Sequence, residues 1–221
     1  MLKFILYLLI IFFIIYLVDS IIGMKLDNIY TCTGIFGKPG SGKSLFLTWL
    51  AYKHVKKQWV VYCDFPCYID GVKQFDDDHF KRGIWLPDGR NKEGEIEQNI
   101  LILIDEIGTL FNNRDFKTNF TPATLKFWKE HRHRGIKIIY ASQSYADMDK
   151  KLRDLTDIYY LMKNSLLKTL RIAKLIKVDI DITNNDQENG GKIIDIYKFA
   201  PFIQFKFIYL PKWIKKFNSF A

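Results

Sequence analysis

The sequence predicts an α/β protein built on a mostly parallel, doubly wound sheet, and three observations carry that expectation. Short apolar, β-branched runs alternate with stretches in which apolar residues recur on a helical period. "ILILID", residues 100–105, is apolar without alternation and ends in acid, as a strand buried on both faces of a parallel sheet does. A glycine-rich loop follows the first apolar run and opens a helical one, the kind of junction at which such sheets hold ligands.

The chain has 221 residues, room for one ordinary α/β domain with small additions. Apolar residues make up 48% and charged residues 26%, a balance that excludes a disordered chain. The net charge of +9 favours anionic partners, nucleic acid or lipid headgroups, without choosing between them. Cys32, Cys63 and Cys67 lie in or near apolar runs and read as buried free thiols in a reducing compartment. No second pair of ligands accompanies Cys63 and Cys67, so no metal site is expected there.

Residues 1–23 read as a transmembrane anchor. "FILYLLIIFFIIYLV" (4–18) is unbroken apolar sequence, and "DSIIG" extends it to Gly23, close to the ~20 residues that cross a bilayer core. A cleaved signal peptide would have a shorter apolar region and a small-x-small cleavage site. A core helix is rarely apolar on every face. Lys3 alone precedes the segment, whereas Lys25, Lys38 and Lys43 follow it, which places the body in the cytoplasm. Translation from Met24 would give a soluble protein instead.

Residues 24–164 form the expected core. "YTCTGIF" (30–36) is its first strand, "SLFLTWLAYKHVKK" (44–57) a helix and "QWVVYCDF" (58–65) a second strand. Residues 66–99, rich in Asp, Gly and Lys, read as an irregular insertion before "ILILID". "TPATLKFWKEHRHRG" (121–135) has Thr121 as N-cap, Pro122 at the first helical position and Gly135 as its stop. "IKIIYASQ" (136–143) and "DIYYLM" (157–162) complete the sheet. Residues 165–221 read as a β-hairpin, "RIAKLIKVDIDIT" with "KIIDIYKF", and a tail of aromatics and lysines.

Gly37, Lys38, Pro39, Gly40, Ser41, Gly42, Lys43 and Ser44 fit G-x-x-x-x-G-K-[ST], the P-loop, with a strand before it and a helix after. Its glycines let backbone N–H groups surround phosphate oxygens, and the following helix presents its positive dipole end to them. Lys43 is expected on the β- and γ-phosphates of ATP and the Ser44 hydroxyl on Mg²⁺. A matching acid should end a neighbouring apolar strand, and Asp105 does so, placed to hold Mg²⁺ through water. Glu106 beside it is the expected base for the water that attacks the γ-phosphate. Gln143, directly after a buried strand, is placed to sense that phosphate or orient the water.

With "HRHRGIKIIYASQS" and "KLRDLTDIYYLMKN" added to these elements, residues 29–164 resemble the zonula occludens toxin-like family, which includes assembly ATPases of filamentous phages. The resemblance implies a P-loop NTPase of the additional-strand, catalytic-glutamate type, related to the FtsK–HerA translocases. It implies a membrane-associated homo-oligomer, often a ring such as a hexamer, that drives phage assembly or DNA movement. Arg132, Arg134 and Arg153 match basic slots of that pattern by resemblance. Each of the three is a candidate for the arginine that acts on a neighbour's nucleotide, with Arg134 taken as the catalytic one. The family's filamentous-phage members carry their membrane span after the ATPase domain, whereas here the apolar segment comes first.

The leading expectation is an ATP-driven motor for virion assembly or export at the host bacterial inner membrane, acting on phage coat or capsid proteins. The alternative is a genome-packaging ATPase moving single- or double-stranded DNA, for which the virion membrane is a second location. A kinase, or a scaffold with a structural nucleotide, are the remaining classes. Phosphate transfer to an acceptor would identify the first, and Glu106→Gln, expected in a motor to keep ATP binding and lose turnover, separates the second.

Overall fold

The structure, a computed structural model, describes residues 7, 9–14, 29–112, 120–145, 148–164, 170–179, 192–194 and 205–209. β1 (Cys32–Phe36), β2 (Val60–Cys63), β3 (Val72–Gln74), β4 (Ile100–Ile104), β5 (Ile136–Ser142) and β6 (Ile158–Asn164) lie in the order β3-β2-β4-β5-β1-β6. Every pairing among these six is parallel. β5 therefore stands between the strand that feeds the glycine loop and the strand that ends in acid, the inserted strand that the resemblance implies. The carboxyl ends of the parallel strands, here the crest, point one way, and their amino ends form the foot.

β4 shows why the sheet is buried on both sides. Ile100, Ile102 and Ile104 enter one apolar cluster, whereas Leu101 and Leu103 enter the other. The first cluster is aromatic, with Phe80, Phe111, Phe127, Trp128 and Tyr140. The second packs against α1 (Lys43–Val55), which buries Phe46, Leu47, Leu50 and Ala51. Gly34 in β1 is required by this packing: a Cβ there would come within 2.8 Å of Tyr159 and 2.9 Å of the Tyr140 hydroxyl.

The helix expected before β5 forms as α4 (Pro122–Glu130), with the Thr121 hydroxyl accepting from Thr124 N at 3.1 Å. It tightens into a 3-10 turn over His131–Arg134 and stops at Gly135 with φ 68°. That left-handed conformation suits a residue without a Cβ. The segment 66–99 is more ordered than expected. It contributes β3 and α2 (Asp77–Lys81). α2 is capped by the Asp76 carboxylate accepting from His79 N at 2.8 Å and anchored by fully buried Phe80. β3 escapes sequence detection because it is three residues long, at the sheet edge, and largely exposed. Two short helices were likewise unmarked in the sequence, α3 (Ile107–Leu110) and α5 (Lys150–Asp154).

Beyond β6 the sheet continues antiparallel. β7 (Leu170–Asp179) pairs with β6, with β8 (Lys192–Ile194) through Val178↔Ile193, and with β9 (Phe205–Tyr209) through Ile172↔Phe207. The connection expected to turn the hairpin, 180–191, lies outside the described residues. So does most of the expected membrane segment, of which Tyr7 and residues 9–14 are described, helical and exposed. Among the described residues, no helix is long and apolar enough to cross a membrane. Cys32 and Cys63 are buried free thiols and Cys67 is a half-buried one. Burial pushes the Cys32 thiol well above its ordinary value. Among the described residues no cluster of three His, Cys, Asp or Glu could hold a metal ion.

Candidate nucleotide site

Three neighbouring strands deliver the site to the crest: β1 leads into the loop, β4 into Asp105 and β5 into Gln143. The loop folds as its glycines require. Gly40 and Gly42 hold φ of 74° and 90°, the left-handed region that other residues enter at a cost. A Cβ on Gly37 would meet Ser41 Oγ at 2.5 Å and Met162 Cβ at 2.9 Å, so only glycine fits there. Ser41 N donates to Lys38 O at 3.1 Å, which closes the turn and leaves Lys38, Pro39 and Gly40 as an exposed lip.

Two polar groups in this loop are buried in a way that packing alone does not explain. Ser41 is 3% exposed, and its hydroxyl has no hydrogen-bond partner among the described residues. Lys43 is 7% exposed; its ammonium donates to Gly37 O at 2.8 Å and to Lys38 O at 3.4 Å. A buried ammonium whose hydrogen bonds go to neutral carbonyls, with Asp105 as its carboxylate neighbour, has room for further counter-charge, and a phosphate supplies it. The glycine cradle, the orphaned hydroxyl and this ammonium together fit a triphosphate.

The acids gather beside the loop. The Ser44 hydroxyl donates to Asp105 Oδ2, the pair that could hold a divalent cation. Asp105 N donates to Asp64 Oδ1 at 2.7 Å, which pins the strand end against β2. Burial raises the Asp105 carboxyl above its usual range, and the Glu106 charge adds to that, while the Ser44 hydrogen bond opposes it. Burial likewise drives Asp64 up to about 8, with the charges of Asp77 and Asp105 contributing. Crowded, poorly solvated carboxyl oxygens of this kind suit a hard cation.

Glu106 sits at φ 60°, ψ 56°, one of two non-glycine residues with positive φ among those described. The left-handed conformation costs roughly 1–2 kcal/mol, and strain of this kind concentrates at functional sites. It turns the chain sharply from β4 into α3. Gln143 Nε2 donates to Glu106 Oε2 at 3.1 Å, across adjacent strands. The loop, Ser44, Asp105, Glu106 and Gln143 are thus brought together as the sequence led one to expect.

Arg134 is not brought to this site. It ends the turn before β5 and so lies at the foot, where its guanidinium donates to Asp88 Oδ2 at 3.2 Å and to Glu130 Oε2 at 3.1 Å. Its side chain is only 17% exposed. Arg132 is also at the foot, bound to Asp157. Arg153 differs in having its guanidinium 4.9 Å from the Tyr145 ring; its Nε, like that of Arg134, has no hydrogen-bond partner among the described residues. Asp64 is the site residue that sequence reading passed over. "VVYCD" repeats the pattern of "ILILID", an apolar run ending in acid, and that was the available signal.

The sequence model of the family described as zonular occludens toxin (Zot) matches residues 35–202. The search of curated proteins returned no match. Among solved structures, the N-terminal domain of zonular occludens toxin from Neisseria meningitidis is similar at TM-score 0.47 and 17% identity, over 69% of this chain and 86% of that one. B204, the DNA-packaging ATPase of Sulfolobus turreted icosahedral virus, is similar at TM-score 0.49 and 16% identity, over 67% of this chain and 93% of that one. The genome packaging NTPase B204 of Sulfolobus turreted icosahedral virus 2, in complex with ATP-gammaS, scores 0.46 at 15% identity, over 66% and 92%. The family match spans most of the chain and contains the loop's lysine, both strand-end acids and Gln143, so the chain is a P-loop ATPase belonging to the zonular occludens toxin family.

Proposed function

We propose that this chain is a membrane-anchored, oligomeric motor that hydrolyses ATP to drive phage virion assembly or export at the host inner membrane, its ATPase domain facing the cytoplasm. The observation that carries the chemistry is the Gln143–Glu106 hydrogen bond beside the Ser44–Asp105 pair. In this reading the loop from Gly37 to Ser44 wraps the phosphates and Lys43 leaves its carbonyls for the β- and γ-phosphates. Ser44 and Asp105 would hold Mg²⁺, which would neutralise charge on the phosphates. Gln143 orients Glu106 and the water. The water oxygen attacks the γ-phosphorus, the bond to the β–γ bridging oxygen breaks, ADP leaves, and Glu106 takes the water's proton.

The membrane reading draws support from the apolar run of residues 4–23 and from the described part of it. Tyr7, Leu9, Ile10, Ile11, Phe12, Phe13 and Ile14 all have exposed side chains, a surface that water does not favour and a bilayer does. The oligomer reading rests on the catalytic arginine: no arginine of the described chain touches its own site. Arg153, stacked on the Tyr145 ring, is the arginine we carry forward as the one that serves a neighbour.

DNA translocation would use the same residues, and the transported substrate alone separates the two roles. ATP hydrolysis by the full-length protein, reconstituted in lipid and measured with and without single- and double-stranded DNA, decides between them. Turnover independent of DNA agrees with the assembly role. Stimulation of roughly tenfold or more by either DNA form would replace it with packaging. Carbonate extraction of cell membranes tests the anchor separately, and recovery in the soluble fraction would remove it.

A further inference from the structure

An aromatic side chain joins the groups of the nucleotide site to Arg153. Tyr145 follows Gln143 by two residues, just past the end of β5, and is half-buried. Its ring meets Phe36 at a steep angle, with ring centres 5.7 Å apart, and Tyr159 likewise at 5.6 Å. Phe36 and Tyr159 are stacked on each other at 5.4 Å. Phe36 is the residue before Gly37, and Tyr159 belongs to β6, so Tyr145 leans on two rings fixed to the sheet. Its third neighbour is Arg153, whose guanidinium carbon lies 4.9 Å from the Tyr145 ring centre. The Arg153 main chain is held as well, its carbonyl accepting from the Tyr159 hydroxyl at 2.9 Å. Aromatic and cation–ring contacts are directional. An arginine with its backbone tied to the sheet and its head on a loop tyrosine therefore takes its direction from that tyrosine.

A second connection ties Arg153 to Glu106. α3 begins directly after Glu106, and at its end Phe111 N donates to Ile107 O at 2.9 Å. Phe111 O accepts from Asp149 N at 3.1 Å, and Asn112 bridges to Met148. Asp149 opens α5: its carboxylate accepts from Lys151 N at 2.8 Å and its carbonyl from Arg153 N at 3.2 Å. Gln143 and Glu106 are bonded to each other, so both routes start at one hydrogen bond and end on one arginine. A γ-phosphate and its attacking water compete for that same amide and carboxylate. Packed side chains and hydrogen-bonded turns of this kind carry such a change onward. The geometry points to Tyr145 as a positioning residue: its ring carries the presence of the γ-phosphate from Gln143 to Arg153 and aims the guanidinium at the neighbouring subunit while ATP is bound. This rests on the reading that Arg153 serves a neighbour's nucleotide. Tyr145 itself touches no reacting atom and acts on turnover through Arg153.

The test is a double-mutant cycle on the full-length protein in lipid, with turnover and affinity for a fluorescent ATP analogue measured together. Tyr145→Leu should lower kcat by about 10–100-fold and leave the affinity unchanged. Tyr145→Phe, which keeps the ring, should restore most of the loss. In an Arg153→Ala background Tyr145→Leu should cost nothing further, since the two side chains act as one unit. A full additional loss in that background would overturn the inference, as would weakened ATP binding, which would make Tyr145 a support for the loop through Phe36. A loss in Arg153→Ala with none in Tyr145→Leu would overturn it too and leave the arginine reading standing. Wild-type turnover in Arg153→Ala would remove both. A second measurement needs no disruptive substitution: 3-fluorotyrosine at position 145 alone, followed by fluorine NMR. Its resonance should differ between ADP and a non-hydrolysable ATP analogue, and Gln143→Ala should abolish the difference. The same spectrum with both nucleotides, or a difference that survives Gln143→Ala, would overturn the coupling.

Discussion

At the crest of the sheet, Ser41 keeps a buried hydroxyl without a partner among the described residues, Lys43 rests on neutral carbonyls and Glu106 holds a left-handed backbone. At the foot, Arg134 has two carboxylate partners and Arg132 has one. Carboxylate-held arginines therefore stand at one end, and an orphaned hydroxyl, a carbonyl-bound lysine and a strained glutamate at the other. Unsatisfied and strained groups persist in a fold only where something else compensates them, and a bound nucleotide does so. The ion-paired arginines hold the turn before β5 in place. The contrast assigns chemistry to the crest and architecture to the foot.

The largest effect that would sharpen this contrast is at Lys43. Lys43→Ala should lower turnover by about 10²–10³-fold and weaken binding of a fluorescent ATP analogue, while the fold remains intact by circular dichroism. Unaltered affinity would break the assignment of the crest. Arg153→Ala should reduce turnover by about 10³-fold if it serves a neighbouring subunit. Mixing that variant with Glu106→Gln subunits should restore part of the activity, since some interfaces then pair an intact arginine with an intact glutamate. Activity that stays at the sum of the two variants would place the arginine elsewhere.

Metal dependence comes next. Asp105→Asn should raise the Mg²⁺ concentration for half-maximal turnover by about 10–100-fold, and Asp64→Ala by less, since Asp64 acts on Asp105 through its backbone N–H. Equal shifts would make Asp64 a direct ligand. The smallest effect belongs to the foot. Arg134→Ala should cost about 1–2 kcal/mol of stability through its charged hydrogen bonds, a drop of a few degrees in thermal midpoint. Turnover per folded molecule should be unchanged, and a loss like that of Arg153→Ala would erase the distinction between the two ends.

How much of this was legible in the sequence follows the same division. The loop, Asp105, Glu106 and Gln143 are local signals: each sits at a strand end, and strand ends of a parallel sheet converge without further information. Asp64 obeyed the identical rule at the end of "VVYCD" and was missed because no motif named it. β3 and α2 were hidden because they are short, and Phe80 alone carries α2 into the core. Arg134 lies away from the glycine loop of its own chain for a reason that the sequence already contained. It stands one residue before Gly135 and the start of β5, and a residue that precedes a parallel strand lies at the foot, opposite the ligand. Its carboxylate partner Asp88 is distant in sequence, so its ion pairs could be known only from the fold.

The central claim is that Glu106 activates water for ATP hydrolysis at the crest, and the comparison of wild type with Glu106→Gln in the full-length protein tests it most directly. ATP binding and steady-state turnover are measured on the same preparation. The account predicts affinity preserved and turnover lowered by about 10²–10⁴-fold. Turnover equal to that of the wild type, with ATP bound equally well, would contradict it.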